Sequence, residues 1–232
     1  MTLRIATLNI RHGGSKNADA VAARLLGNDV DLLVVTEFRA NHTGLHLVTQ
    51  LERAGYSTTH PGADSKQNTV LIASRTPIDR AARFSRDLSA HHVWCVEFDG
   101  TIAAGVYLPQ AQAKLPYWEA LIDRARRSEV DLLIGDFNTG NNDLDKDPKG
   151  TKFVGPEMPD RLIASGYVDI WRALHPSVRE YSWFIRPGDN GFRLDYIYAV
   201  PEFARRVRTC EFDHAPRLTR ETDHSGLVAV LD

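Results

Sequence analysis

No apolar run in this 232-residue chain is long enough to cross a bilayer. The longest, over 31–35 and 130–134, fall far short of the roughly 20 residues a membrane-spanning helix needs. The N-terminus also lacks the charged-then-apolar pattern of a secretory leader, so a cytoplasmic protein with no membrane partner is expected. Cysteine is scarce. Cys95 and Cys210 stand far apart, without zinc-type spacing, in apolar-alternating segments that read as sites of buried free thiols. That excludes a disulfide scaffold and argues against a cysteine nucleophile. Low-complexity tracts and residue-level repeats are missing too. Excess positive charge is the last absence: the net charge is -2, whereas a protein living on non-specific DNA contacts is often clearly basic. Arginines gather locally at Arg75, Arg80, Arg83 and Arg86, at Arg124, Arg126 and Arg127, and at Arg205, Arg206 and Arg208. Each group reads as a solvated face, with at most one serving as a phosphate track.

What is present suits one domain spanning 1–232, whose 43% hydrophobic content suffices for a substantial core. Strand patterns over 3–8, 32–36 and 69–73 alternate with helical ones over 19–26 and 42–54. Strands over 93–98 and 101–107 flank Asp99-Gly100, a tight hairpin signal that brings in antiparallel pairing. A helix over 116–127 opens on its proline and leads into a strand over 131–134. The second half predicts a helix over 159–165 and strands over 181–184, 192–199, 206–212 and 226–231. Between them, 140–156 is rich in Gly, Asn, Asp, Lys and Pro and reads as a long exposed loop bordering substrate. Its Asp143-Leu144-Asp145-Lys146-Asp147 lacks the glycine and terminal glutamate of an EF-hand, so a solvated loop is expected.

Four polar clusters border the buried strands: Leu8-Asn9-Ile10, Thr36-Glu37-Phe38, Gly135-Asp136-Phe137-Asn138 and Thr222-Asp223-His224-Ser225. Projected from strand ends to one point, they make an oxygen-rich site for a hard divalent cation, with one imidazole for proton or phosphate chemistry. Glu37, ending a buried strand, must be paired, protonated or cation-bound, since a lone buried carboxylate is very costly. Metal ligation is the preferred resolution; a salt bridge to Arg39 or Arg11 is the other. Asp136 and Asn138 stand two apart on an extended segment, so they address one water or phosphate oxygen together. An ordinary turn also favours Asp and Asn after Gly, and Asp223-His224-Ser225 also suits a helix or turn cap.

Taken together, Asn9, Glu37, Tyr107-Leu108-Pro109-Gln110, Gly135-Asp136-Phe137-Asn138, Arg193-Leu194-Asp195-Tyr196 and Thr222-Asp223-His224 resemble the exonuclease–endonuclease–phosphatase superfamily over essentially the whole chain. The resemblance implies an α/β fold, a four-layer sandwich of two mixed β-sheets packed face to face with helices on both outer sides. Tyr181-Ser182-Trp183-Phe184 and Gly191-Phe192-Arg193-Leu194-Asp195-Tyr196-Ile197 are most similar to the exonuclease III and apurinic endonuclease branch. By that likeness Trp183, Phe192 and Leu194 line a pocket for a flipped-out abasic sugar, the alternative being that they are core. Glu37 ligates Mg2+, for which Mn2+ substitutes, with Asn9 and Asp223 nearby. Asp136 positions or deprotonates the attacking water, and Asn138 holds it or a phosphate oxygen. His224 contacts the scissile phosphate or moves a proton, oriented by Asp195, and Tyr107 donates to the phosphate or the leaving oxygen. Either Asp136 or His224 is the base.

This chain departs from the branch in three ways. Arg11 stands where relatives commonly have a carboxylate or amide, which suits phosphate binding. Gln110 replaces the usual Asn, and the compact chain leaves little room for insertions that kink a duplex. The expected activity is a Mg2+-dependent phosphodiesterase acting on nucleic acid, DNA first. It is an apurinic/apyrimidinic endonuclease of DNA repair or a 3'-end-processing nuclease, working as a monomer and leaving 3'-hydroxyl and 5'-phosphate ends. The alternatives are hydrolysis of a small phosphorylated metabolite or phospholipid, and a non-catalytic binding module. The last has no evident use for seven assembled polar groups.

Overall fold

Period-two alternation of apolar residues, flanked by amphipathic helices, is enough to build four layers here. The computed structural model describes residues 2–62, 64–185 and 190–232. In chain order the strands are β1 (Leu3–Asn9), β2 (Leu32–Phe38), β3 (Ser57–Thr59), β4 (Thr69–Ser74), β5 (Arg80–Arg83), β6 (Val93–Phe98), β7 (Thr101–Tyr107), β8 (Leu132–Asp136), β9 (Val168–Asp169), β10 (Trp183–Ile185), β11 (Asn190–Phe192), β12 (Asp195–Ala199), β13 (Val207–Asp213) and β14 (Gly226–Leu231). The helices are α1 (Ala18–Gly27), α2 (His42–Arg53), α3 (Leu115–Arg126), α4 (Met158–Ala164), α5 (Ile170–Leu174), α6 (Pro201–Ala204) and α7 (Ala215–Leu218). One six-stranded sheet runs β13-β14-β1-β2-β4-β3, a second runs β5-β6-β7-β8-β12-β9, and β10 pairs with β11 alone. Both large sheets are mixed, with β1 parallel to β2 and β7 parallel to β8 among otherwise antiparallel pairs.

The alternation decides which layer each side chain enters. Leu32 and Val34 of β2 join Leu132 and Ile134 of β8 in the core between the sheets. Their neighbours Leu33 and Val35 point the other way, into a cluster with Leu25 of α1 and Leu47 and Leu51 of α2. Leu133 of β8 likewise packs outward with Trp118 and Leu121 of α3. Strands covered on both faces need unbroken apolar runs, which is why these segments read as continuous hydrophobic stretches. Where the sheets come closest, Gly105 of β7 leaves no room for a side chain: a Cβ there would lie 2.5 Å from Val70 Cγ1.

Two expectations need correction, and one strand was not foreseen. The strand foreseen over 192–199 is broken, because residues 193–195 bond elsewhere: Arg193 N donates to the Asp145 carbonyl at 2.7 Å, and the backbone amides of Leu194 and Asp195 both donate to Ser182 Oγ. The segment 140–156 is not a wholly exposed loop, since Thr139, Asp145 and Lys146 beside or within it are buried. Asp145 is drawn inward by a buried guanidinium. Arg193 Nε donates to Asp145 Oδ1 at 2.7 Å and its Nη2 to Asp169 Oδ2 at 2.6 Å, while its plane lies over the Trp171 and Tyr196 rings. The Arg80 and Arg83 group, finally, includes an unforeseen edge strand, β5.

Removing the guanidinium would leave the buried Asp169 carboxylate without its ion pair and Asp145 with Arg172 alone. Arg193→Met is therefore expected to destabilise the chain by about 3–5 kcal/mol, read as a lower urea midpoint at unchanged slope. A midpoint equal to that of the unaltered protein would show that the network contributes no net stability.

Candidate active site

Asn9 ends β1, Glu37 lies one residue from the end of β2, and Tyr107 and Asp136 end the parallel pair β7 and β8, where they are register partners. Asp195 begins β12 directly opposite Asp136 in the antiparallel register. His224 precedes β14 by two residues. Parallel strands ending together, and antiparallel partners beginning where those end, bring polar groups from both sheets to one edge. Gly135 makes the approach possible: its φ is +141°, and a Cβ would lie 2.0 Å from the Val106 carbonyl oxygen.

At this edge Asn9, fully buried, donates from Nδ2 to Glu37 Oε1 at 3.2 Å and to Asp136 Oδ2 at 3.0 Å, while its Oδ1 accepts from the Arg11 amide at 2.9 Å. Glu37 Oε2 accepts from the His12 amide at 2.9 Å and from Asn68 Nδ2 at 3.1 Å. Asn68 also donates to the Tyr107 hydroxyl at 3.2 Å, which leaves the phenol's own proton for another acceptor. Asp136 Oδ1 accepts from the Asn138 amide at 2.9 Å, and Asn138 Nδ2 donates to the Leu108 carbonyl at 2.7 Å. That second bond orients the side chain and leaves its Oδ1 as an acceptor. The Lys114 ammonium donates to the Asn138 carbonyl. Non-glycine residues in left-handed backbone cluster here: Arg11, His12, Glu37 and Asn138 have φ between 50° and 55°. Such strain persists only where the surroundings over-determine it, as they do around functional groups.

Charge is as concentrated as the geometry. His224 Nδ1 lies 2.8 Å from Asp195 Oδ2, and both residues are buried. Burial pulls the imidazole toward its neutral form, but the carboxylate of Asp195, its hydrogen bond and the charge of Asp136 win and push the pKa up to about 10. Asp136 is shifted upward as well, by burial first and then by the charge of Asp195, to about 7. Tyr107 is pushed well above the ordinary phenol range by burial and then by Glu37, so it stays protonated. Lys114 is lowered to about 8 by burial.

A cleft of about 400 Å³ opens on these groups. Glu37, Asp136, Asn138, Asp223 and His224 line its polar side, and Phe153, Trp183, Ile185, Phe192 and Leu194 line its apolar side. Arg11 and Gln110 stand at its border, Arg11 with its Nε 3.7 Å from Asp223 Oδ2. Trp183 Nε1 donates to the same oxygen, Asp223 Oδ2, at 3.3 Å. Asp136, Asp195 and His224 each offer an atom within 4.8 Å of one another. Because His224 Nδ1 is already committed to Asp195, that trio is better read as a charge relay than as an open ligand set. Asp195 Oδ1 is buried without a hydrogen-bond partner among the described residues, and several carboxylates share this edge, so the donor set fits a hard divalent cation.

The structure thus brings together Asn9, Glu37, Tyr107, Asp136, Asn138, Asp195, Asp223 and His224, with Arg11, Gln110, Trp183, Phe192 and Leu194 around them. Glu37 is met by Asn9, His12 and Asn68, while Arg39 turns to Asn68 Oδ1 at 2.5 Å. Segment 140–156 does reach the cleft, through Thr151 and Phe153. Sequence reasoning missed Asn68, Lys114 and Ser182. A usable signal existed for Asn68: it precedes β4, whose first residue Thr69 pairs antiparallel with Phe38 at the end of β2, so any polar residue there falls on the same edge. Nothing in the sequence around Lys114 marks it.

Carboxylates, amides and one imidazole gathered at the common edge of a two-sheet sandwich define a metal-dependent phosphoester hydrolase. The family model described as Endonuclease/Exonuclease/phosphatase family matches residues 6–224, and the chain belongs to that family. Among solved structures, an AP endonuclease from Archaeoglobus fulgidus is similar at 25% identity, covering 99% of each chain with a TM-score of 0.86. The 3' phosphatase NExo from Neisseria, bound to a product DNA hairpin, is 24% identical over 99% of both chains, with a TM-score of 0.86. The 3'-5' exonuclease NExo from Neisseria meningitidis is 24% identical over 99% of this chain and 100% of its own, with a TM-score of 0.83. At 24% these two support the fold alone.

The His224 and Asp195 pair gives a testable sign. Because the folded imidazole titrates above its ordinary value, its stabilisation is complete below about pH 6.5 and is lost as pH rises through about 10. Asp195→Asn removes the charge that holds it up, so the His224 resonance in an NMR titration should move to a pKa well below the unaltered one. An unchanged titration would show that Asp195 does not set the charge of His224.

Proposed function

We propose that this chain is a Mg2+-dependent phosphodiesterase of DNA, an apurinic/apyrimidinic endonuclease or 3'-end-processing nuclease, with Mn2+ able to substitute. One observation carries the reading: Trp183, Ile185, Phe192, Leu194 and Phe153 line the same cleft as Asp136 and His224, and Trp183 forms a β-bridge with His224. A deoxyribose without its base, or a terminal sugar, presents an apolar ring face and a phosphate edge, and the two sides match it. The 25%-identical AP endonuclease supports the same substrate class. A neighbouring cavity of about 580 Å³, lined by Arg11, Arg217 and Arg220, continues from the cleft and suits the phosphates of an adjoining strand.

Glu37 would hold the cation, with Asp223 and Asn9 beside it. The ion supplies charge stabilisation on the phosphoryl group and lowers the pKa of a bound water. With His224 held as imidazolium, it is a donor to the phosphate rather than a base. Asp136, poised near neutrality, then takes the proton from the attacking water, which Asn138 orients. Both groups are shifted upward, which keeps the proton on His224 at neutral pH while Asp136 stays able to take one, and this supports the assignment of acid and base. Tyr107, kept protonated, donates toward the leaving oxygen, and Arg11 steadies a phosphate.

The test is cleavage of labelled DNA carrying one abasic site, beside undamaged duplex, single strand and a 3'-phosphate end, with Mg2+, Mn2+ or EDTA. A metal-dependent cut at the abasic site, or trimming of the 3' end, is expected. Intact DNA in every lane sinks the reading and moves the search to small phosphorylated metabolites and phospholipids. Glu37→Gln should shift the Mg2+ optimum upward, and an unchanged metal dependence would reassign the ligand. Trp183→Ala separates wall from core: a stable protein that has lost abasic preference fits the proposal. A loss of about 3–5 kcal/mol of stability with preference retained would make Trp183 a packing residue.

A further inference from the structure

Ser225 follows His224 in the chain and is fully buried, but its hydroxyl serves a different set of groups. Arg217 Nε donates to Ser225 Oγ at 3.1 Å, and His214 Nδ1 lies 2.8 Å from the same atom. Across the imidazole, Nε2 stands 2.9 Å from Glu180 Oε1. His214 immediately precedes α7, Arg217 lies within it and Ser225 immediately precedes β14. The set therefore ties this short helix to the strand end that carries His224.

Donors and acceptors close in one order. The Glu180 carboxylate only accepts, which puts a hydrogen on His214 Nε2 and leaves Nδ1 as a lone pair in that tautomer. Arg217 Nε only donates, so Ser225 accepts from it and gives its own hydrogen to Nδ1. Arg217, Ser225, His214 and Glu180 thus each donate to the next. Such lines of hydrogen bonds polarise one another, and a fully satisfied one is rigid. The guanidinium is held a second way, over the Phe184 ring at 4.3 Å from its centre. Its direction and its plane are both fixed.

Arg217 lines the cavity of about 580 Å³ beside the cleft, together with Phe184 and Arg220. Two carboxylates line it as well, and each has its own cation. Glu221 takes hydrogen bonds from Arg24 at 2.6 and 2.8 Å, and Asp223 Oδ2 lies 3.7 Å from Arg11 Nε. Over those pairs Arg217 and Arg220 add two further guanidinium groups to the lining.

We infer that Glu180, His214 and Ser225 are positioning residues for Arg217, presenting it to a backbone phosphate of the strand in this cavity, so that their relay sets the grip on nucleic acid. The inference rests on the proposed reading of the cavity as a phosphate site. Its chemical basis is the planar fork of the guanidinium, which meets a phosphate in a fixed geometry and loses less freedom on binding when its plane is set beforehand.

Binding of a labelled DNA duplex by the purified full chain, in EDTA to prevent turnover and across a range of NaCl, tests this. Arg217→Ala should weaken binding by about tenfold and lower the slope of log affinity against log salt by about one. Ser225→Ala and His214→Phe should each reproduce most of that loss, and neither should weaken binding further once residue 217 is alanine. Losses that persist undiminished on the Arg217→Ala background would mark a general structural effect and overturn the inference. Binding at the unaltered strength by both Ser225→Ala and His214→Phe would overturn it too. If Arg217→Ala leaves the slope unchanged while Arg220→Ala lowers it, the relay falls and the reading of the cavity stands. A slope unchanged in both arginine variants, or no duplex binding by the unaltered chain, overturns both.

Discussion

The arrangement hangs on one buried amide. Asn9 gives its two N–H hydrogens to carboxylates from different sheets, Glu37 of the first and Asp136 of the second, and so ties the sheets at the edge where like charges would otherwise push them apart. Its own carbonyl oxygens are used as well: Oδ1 accepts from Arg11, and the backbone oxygen accepts from Thr222 Oγ1 at 2.7 Å. The second of these bonds holds the segment carrying Asp223 and His224. A neutral donor can do this where a lysine or arginine would cancel the charge that a cation site needs. Buried amides bonded on every side are also rigid, which is the property an electrostatic site requires.

Around that tie, the strand ends explain why so much was legible. The sheets are covered on both faces, so each central strand announces itself as an apolar run, and a polar residue ending such a run has few reasons to be there. Asn9, Glu37 and Asp136 could be read on that basis, and His224 by its place ahead of the last run, whereas Asp195 came only from the family resemblance. Ser182, Asn68 and Lys114 could not be read the same way. Ser182 acts through backbone amides of a broken strand, Asn68 depends on antiparallel register, and Lys114 sits in a short helical turn whose sequence carries no periodic signal. Polar composition also misled over 140–156, because a buried arginine two residues before Asp195 turns one acidic loop residue, Asp145, into an interior partner. Composition reports solvation only when the charges lack a partner, and here the partner is fifty residues away in sequence.

Local charge, too, departs from the net value. The three arginine groups visible in the sequence are spent largely on the surface: Arg127 pairs with Asp123 and Glu129, Arg124 lies over Phe84, and Arg208 pairs with Asp232. The cations in and behind the cleft are isolated in sequence: Arg11 lines it, Arg39 bonds Asn68 and Lys114 bonds the Asn138 carbonyl. At about 8 Å of screening length in physiological salt, charges on the far surface are barely felt in the cleft. A net charge of -2 therefore says little about whether this edge receives a phosphate.

The apolar wall gives those few charges their reach. Phe192 and Leu194 are under a tenth exposed, and Trp183 bonds Asp223 while packing against Phe192 with ring centres 6.0 Å apart. Apolar side chains on one side of a narrow cleft exclude water from the other, and Coulomb interactions strengthen as the effective dielectric falls. Burial raises Asp136, and the charge and hydrogen bond of Asp195 outweigh the burial of His224, so both neighbouring groups hold their protons to higher pH than usual. The wall's position against the Asp136 and His224 edge makes the packing of aromatic residues and the charge state of the polar edge a single constraint.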